Sequence, residues 1–321
     1  MTGKRARHVY GPVPSRRLGR SLGVDCVPFK TCTYDCIYCH LGPTTDRTIR
    51  RMEYVPVDEV QAELEERLAG IEPPDYISLA GSGEPTLNSG LGDLIPRIKQ
   101  MTRIPVAVLT NGSLLGMPEV QDALMQADLV IPSLDAGDGA LFQYVNRPHP
   151  DISFERVVDG LVSFTNRFKG EVWLEVLLLA GVTGIRDEAE KIDSAVKNAR
   201  LNRIQLNTAV RPPSRSYAKP VSPEQLAALK GFFSGRVEII AGPGPAGRRD
   251  LPGRDVAGDE ILALLSRRPC TAMDIARGLG MNASEAVKHL DALLRNGSVA
   301  PVRTGEITFY TTAAAAEASR P

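Results

Sequence analysis

Cys32, Cys36 and Cys39 stand in the run Cys32-Thr33-Tyr34-Asp35-Cys36-Ile37-Tyr38-Cys39, a C-x3-C-x2-C spacing in a turn-rich loop after a strand-like segment, Leu22 to Val27. Thiolates are the usual ligands of iron–sulfur clusters, and a cluster held entirely by protein normally takes four of them. Three close cysteines without an obvious fourth suit a [4Fe–4S] cluster with one open iron, able to bind a small chelating molecule and pass it an electron. Three plainer readings stand beside this one. A structural zinc site needs four ligands; His40 is available, but adjacent Cys39 and His40 are poorly placed for two corners of one tetrahedron. An electron-transfer cluster needs a fourth thiolate, and only Cys26 is near. Cys26 sits in the strand-like run, where a free cysteine is usually a small core residue. A disulfide framework does not suit a chain of 321 residues with five cysteines and no secretory signal.

The elements that must position this loop alternate in type. A first strand runs from Ser21 to Val27, and further strand-like runs begin at Tyr76, Val106, Leu129, Val172, Arg203 and Val237. Between them lie helical patterns, such as Val57, Val60, Leu64 and Leu68 with charges between. Nearly all the strands are short apolar runs, as expected when both faces of a parallel sheet are covered. The alternation predicts a parallel α/β sheet with right-handed crossovers. Seven strands are too few for a closed eight-stranded barrel. The opening Tyr10-Gly-Pro-Val-Pro-Ser-Arg-Arg-Leu-Gly is rich in turn formers and reads as an ordered loop.

In such folds functional residues collect at the carboxyl ends of the strands. Gly81-Ser82-Gly83-Glu84 follows the second strand, and its glycines let the backbone approach a ligand closely. Thr110 and Asn111 follow the third strand, Ser133 and Asp135 the fourth, and Asn207 ends the sixth. Glu175 is an acid within an otherwise apolar strand, so it should point into the lumen toward a partner. Each has a plain structural reading as a turn or a capping group. Together they point to one lumen site.

Residues 242–253 are dense in glycine and proline and read as a linker that few contacts cross. Three helices and a hairpin around Thr304-Gly305 then read as a winged helix-turn-helix module. The expected division is a core over 1–245, a linker over 246–254, a winged-helix-like domain over 255–312 and a disordered tail over 313–321.

Hydrophobic residues at 43% and charged ones at 24% fit a soluble globular chain. No apolar run approaches the ~20 residues of a membrane span. The start lacks the apolar core of a signal peptide, so a cytoplasmic location without membrane contact is expected. Net charge is zero, yet residues 1–51 carry ten Lys or Arg against three Asp, a net +7 around the cysteine loop. That excess suits a solvated arm or a rim that attracts an anionic substrate or an acidic partner. Residues 255–321 hold seven Lys or Arg against eight Asp or Glu, a net −1. Duplex binding is largely phosphate neutralisation, so this favours a substrate- or partner-docking module over a redox-cluster DNA-binding regulator.

The cysteine spacing, with Tyr38 before the last cysteine, resembles the signature of the radical S-adenosylmethionine (SAM) superfamily, over about residues 9–241. Within it, Gly11-Pro-Val-Pro-Ser-Arg-Arg-Leu-Gly, Cys36-Ile-Tyr-Cys and Gly83-Glu-Pro-Thr-Leu look like Fe–S oxidoreductases related to wyosine-base tRNA-modifying enzymes. Those enzymes carry a second cluster on additional cysteines, whereas only Cys26 and Cys270 remain here. The resemblance implies a partial (βα)6-type TIM-like barrel and a [4Fe–4S] cluster on Cys32, Cys36 and Cys39. It also implies SAM beside Tyr38, on the Gly81–Glu84 loop, and near Thr110, Asn111, Ser133, Asp135, Glu175 and Asn207. Ser82 stands where the superfamily's loop usually has a glycine. Reduced flavodoxin or ferredoxin would deliver an electron, SAM would be cleaved to methionine and a 5′-deoxyadenosyl radical, and the radical would take hydrogen from an RNA, peptide or protein substrate. The expected enzyme is an oxidoreductase or transferase; a simple electron carrier is the other alternative.

Overall fold

The computed structural model describes residues 8–241, 258–305 and 307–318. The apolar runs assemble into an eight-stranded sheet. An edge strand, β1 (Val9–Ser15), pairs antiparallel with β2 (Gly19–Asp25). The cysteine loop follows and contains two-residue strands, β3 (Thr31–Cys32) and β4 (Asp46–Arg47), paired with each other. The parallel series continues through β5 (Tyr76–Ala80), β6 (Val106–Thr110), β7 (Leu129–Pro132), β8 (Glu171–Leu178), β9 (Arg203–Thr208) and β10 (Val237–Ile239). With β2 this makes seven parallel strands, as the alternation of elements predicts. The sheet order ends at β1 and β10, which do not pair with each other among the described residues, so the barrel is open.

The opening segment is a strand rather than the loop its turn formers predict. Its prolines, Pro12 and Pro14, are tolerated because β1 lies at an edge, where a missing N–H breaks no inner ladder.

Helices α1 (Val57–Ala69), α2 (Leu91–Met101), α3 (Pro118–Leu124), α4 (Gly139–Val145), α5 (Phe154–Arg167), α6 (Arg186–Ala195) and α7 (Pro223–Leu229) connect the strands. Leu64, Ile95, Ile98 and Phe164 meet Leu22, Ile77, Val106 and Leu174 in the main core. The other sheet face is divided along the strands. Toward their amino ends Leu18, Ala107, Leu129, Ile131 and Trp173 form an apolar plug. The Arg203 guanidinium stacks on the Trp173 ring at 4.2 Å. Toward the carboxyl ends, the same face presents the polar residues of the cavity. Alternation with period two lets one sheet seal its floor and line a pocket.

Residues 242–257, which include the expected linker, lie outside the described residues. Beyond them α8 (Gly258–Leu265), α9 (Ala272–Leu279) and α10 (Ala283–Arg295) enclose a second core around Ile261, Leu265, Ile275 and Leu290. Thr271 with Asp274, and Asn282 with Glu285, form capping boxes that start α9 and α10. Strands β11 (Val299–Thr304) and β12 (Ile307–Thr312) pair antiparallel. The segment expected as a disordered tail is helical over its described part, α11 (Ala313–Ala318), consistent with the high helix propensity of alanine.

This C-terminal unit rests on the barrel, contrary to the expectation of few crossing contacts. Val13 of β1 packs against its core. Arg267 Nε donates to Asp25 Oδ2 at 2.8 Å, and its guanidinium lies 4.6 Å from the Tyr10 ring centre. Arg211 Nε donates to the Pro269 carbonyl at 3.1 Å.

Asp25 is only 8% exposed, so its bond to Arg267 should be worth more than a surface pair. In a double-mutant cycle of Asp25→Asn and Arg267→Ala, chemical denaturation should report a coupling of roughly 1–3 kcal/mol. Additive losses would mean that apolar packing on β1 alone fastens the unit.

Candidate functional site

The cysteine loop is held by backbone bonds to several elements. Ile37 N donates to Val145 O at 2.9 Å and Asp35 N to Asn146 O at 3.1 Å, which ties the loop to the end of α4. Arg215 N reaches Ile37 O at 2.9 Å, and Glu84 N reaches Thr31 O at 3.1 Å. The Tyr34 ring packs edge-on against Phe142 of α4, with centroids 5.4 Å apart.

Each of the three sulfurs in the loop receives one N–H donor. Asn111 Nδ2 lies 3.6 Å from Cys32 Sγ, Asn146 Nδ2 lies 3.6 Å from Cys36 Sγ, and Lys30 Nζ lies 3.3 Å from Cys39 Sγ. Burial, followed by the nearby Glu84 charge, pushes the Cys32 thiol up to about 12. Burial and the neighbouring Cys32 hold the Cys36 thiol well above its ordinary value. Without a positive centre these groups stay protonated; a metal that takes the proton's place reverses that preference.

The remaining cysteines are sealed away. Cys26 is 1% exposed in the main core, and Cys270 is fully buried in the C-terminal core. No fourth thiolate is therefore offered to the loop among the described residues. Nor do three His, Cys, Asp or Glu side chains converge on a single-ion position among them. His40, next to Cys39, also lines the cavity. Three thiols on one wall fit a larger inorganic group with one corner left open.

Glu84 is the hub of the adjoining loop. Its Oε1 accepts from Thr86 N at 3.0 Å, Thr86 Oγ1 at 2.6 Å and Thr110 Oγ1 at 2.6 Å. Its Oε2 accepts from Asn111 N at 2.7 Å. Burial raises its pKa while these donors oppose the rise. The carboxylate is thus used within the protein, and it sets Asn111 against Cys32. The glycines also have internal reasons. A Cβ on Gly83 would strike Thr31 O, and one on Gly81, whose φ is +111°, would strike Asp25 Oδ1. Their missing side chains make room for protein rather than for a ligand. Ser82 N and Oγ donate to Asp25 Oδ1 at 3.0 and 3.1 Å, so Asp25 links this loop to the C-terminal unit.

Asp135 accepts from the Tyr38 hydroxyl, from Asn146 Nδ2 at 2.8 Å and from Leu177 N at 3.0 Å. Burial nevertheless lifts its pKa to about 6. Glu175 does meet a partner in the lumen. Arg17 clasps it with two bonds, of 2.5 and 2.8 Å, and Asn207 Nδ2 adds a third at 2.7 Å. Burial alone would raise the Glu175 pKa, but Arg17 holds it below the ordinary value. Ser133 lies beside Glu175 in an isolated bridge between β7 and β8.

All of the predicted site residues line one cavity of about 410 Å³, from Cys32, Cys36, Tyr38 and Cys39 to Asn207. Sequence reasoning missed several others. Asn146 was hidden because α4 has only seven residues, too few for a clear period, and its Asp138 cap is the one local sign of it. Lys30 is buried with a left-handed φ of +63°, a conformation that tertiary contacts impose. Arg16, Arg17, Arg211, Arg267 and Arg268 also line the cavity. Only the basic excess near the start of the chain gave a signal for the first two.

Among the described residues no helix is long and apolar enough to cross a membrane. The chain is 40% identical over 296 residues to the GTPase Obg of Brachyspira hyodysenteriae, covering 92% of this chain and 44% of that one. It therefore spans less than half the length of that relative. It is 36% identical over 306 residues to the UPF0026 protein of Helicobacter pylori strain J99, covering 94% of this chain and 96% of that one. In fold it is similar to a radical SAM methyltransferase from Sphaerobacter thermophilus, with a TM-score of 0.51 and 17% identity over 71% of this chain and 68% of that one. The radical SAM superfamily model matches residues 26–206, a span that holds the cysteine loop, the glycine loop and the strands from β5 into β9. By that match, over more than half its length and through the elements that wall the cavity, the chain belongs to the radical SAM superfamily.

Proposed function

We propose that the chain is a radical SAM enzyme that holds a [4Fe–4S] cluster on Cys32, Cys36 and Cys39 and SAM in the adjoining cavity. One observation carries the reading: three sulfurs on one cavity wall, each with its own N–H donor, while Cys26 and Cys270 are buried in separate cores. When bound, the cluster and SAM supply a 5′-deoxyadenosyl radical that takes hydrogen from a substrate. The protein's own residues hold and shield. Lys30, Asn111 and Asn146 stabilise negative charge on the sulfurs. The Gly81–Gly83 backbone and Ser82 offer polar groups to the methionine part of SAM, with Glu84 acting through Thr110 and Asn111. Ser133 and Asp135 face the ribose, with Asp135 steadied by Tyr38 and Asn146. The Arg17–Glu175–Asn207 network shapes the deeper lumen.

A reduced flavodoxin or ferredoxin is the electron donor in this reading, and the setting is the cytoplasm. Residues 255–312 act as a winged-helix-like domain that docks substrate. Its residues Leu264, Arg267 and Arg268 reach the cavity, which favours docking over DNA regulation. A cavity of this size also has no use in a simple electron carrier. The net reaction is an oxidation or a group transfer.

Anaerobically reconstituted protein should hold about four irons per chain. Changing Cys32, Cys36 or Cys39 to Ala should remove the cluster, while Cys26→Ala and Cys270→Ala keep it. Loss in Cys26→Ala instead would favour a four-cysteine carrier. Dithionite-reduced protein should convert SAM to 5′-deoxyadenosine and methionine; clean cluster reduction that leaves SAM intact would sink the enzyme reading. Asn146→Ala removes a donor that stabilises the reduced charge, so the midpoint potential should fall. An unchanged potential in Asn146→Ala, matching that of the exposed Asn166→Ala control, would mean that this amide does not act on the cluster.

A further inference from the structure

Six cations line the cavity: Arg16, Arg17, Lys30, Arg211, Arg267 and Arg268. Two of the arginines are matched by carboxylates, Arg17 by Glu175 and Arg267 by Asp25. Lys30 lies against Cys39. The other three arginines have no carboxylate within ion-pair distance among the described residues. Arg16 Nη1 bonds only neutral oxygens, Asn207 Oδ1 at 3.1 Å and Ile240 O at 3.0 Å. Arg211 bonds the Pro269 carbonyl. The nearby Asp274 is taken up by the capping box of α9. The Arg268 guanidinium donates no hydrogen bond among the described residues, and its Nε is buried without a partner.

These three come from separate parts of the chain: the turn after β1, the segment after β9, and the C-terminal unit. Their charges bear on one another. Burial, then Arg211, lowers the Arg16 pKa to about 10, and burial, then Arg268, lowers that of Arg211. Folding brings three repelling guanidinium groups to one cavity and leaves each without a carboxylate in direct contact among the described residues. A bound anion removes both penalties.

We propose that the substrate of this site is a small molecule carrying a phosphoryl group, held by Arg16, Arg211 and Arg268 where the C-terminal unit meets the barrel. This rests on the cavity being the radical SAM site. A carboxylate is saturated by one guanidinium fork, whereas a phosphoryl group offers three oxygens and up to two negative charges to three forks. A small molecule fits because the C-terminal unit closes on β1 and Asp25 beside the cavity.

The test uses full-length, cluster-loaded protein and inorganic phosphate, with acetate as the carboxylate control at matched ionic strength. Calorimetry should show phosphate binding more tightly than acetate. Arg268→Gln and Arg211→Gln should each weaken phosphate binding about tenfold, as expected for loss of a charge-assisted bond. Arg268→Lys should recover part of the loss, and Lys197→Gln, a change at an exposed site, should have no effect. Equal binding of phosphate and acetate would overturn the proposal. So would Arg268→Gln and Arg211→Gln that weaken SAM while sparing phosphate, since the arginines would then serve the SAM carboxylate. SAM cleavage without phosphate binding would defeat this inference alone. Phosphate binding in cluster-loaded protein that never cleaves SAM would leave the anion site standing and remove the enzyme reading.

Discussion

A buried carboxylate without a cation beside it organises the site. Glu84 is 1% exposed, and four donors from Thr86, Thr110 and Asn111 satisfy its oxygens. Such a group is costly to bury unless its bonds are made, so β5 and β6 must end at matching heights and their loops must meet. That meeting delivers the Asn111 amide to Cys32. The main-chain N–H of Glu84 bonds Thr31 O, one residue before the same cysteine. One side chain and its own backbone thus couple the glycine loop, the end of β6 and the first cysteine.

The other two cysteines depend on different supports. Cys36 receives its donor from Asn146, and the loop around it is bonded to the end of α4. Cys39 receives its donor from Lys30, whose backbone N–H bonds Ser82 O at 2.6 Å. The three sulfurs are therefore positioned by three structural units, which the short loop between them could not do alone. Their N–H donors matter most when the sulfurs carry charge, in a setting of low dielectric.

Charge is distributed in the same non-local way. The chain is neutral in sum, but its cavity gathers cations from the start of the chain, from the segment after β9 and from the C-terminal unit. Asp25 binds the glycine loop with one oxygen and Arg267 with the other, so the unit that completes the cavity is also fastened to the loop beside the sulfurs.

Much of this was legible in the sequence because it is local. The C-x3-C-x2-C run, the seven apolar strands and the polar residues at their ends are patterns of spacing and period, and the structure brings those residues to one cavity. Cys26 also read correctly as a core residue. What was not legible depends on meetings between distant segments. The proline-bearing β1 became a strand because β2 offered it an edge, and α4 was too short to show a period. Asn146, Lys30, Arg211 and Arg268 carry no local mark of a site. The glycines of the Gly81–Gly83 loop serve Asp25 and Thr31, which no turn motif announces. Sequence alone determined the seven parallel strands and which thiols stand together, since both follow from neighbours along the chain. Tertiary structure alone decided which donors face the sulfurs and which cations remain unmatched, because hydrogen bonds and charges act through space.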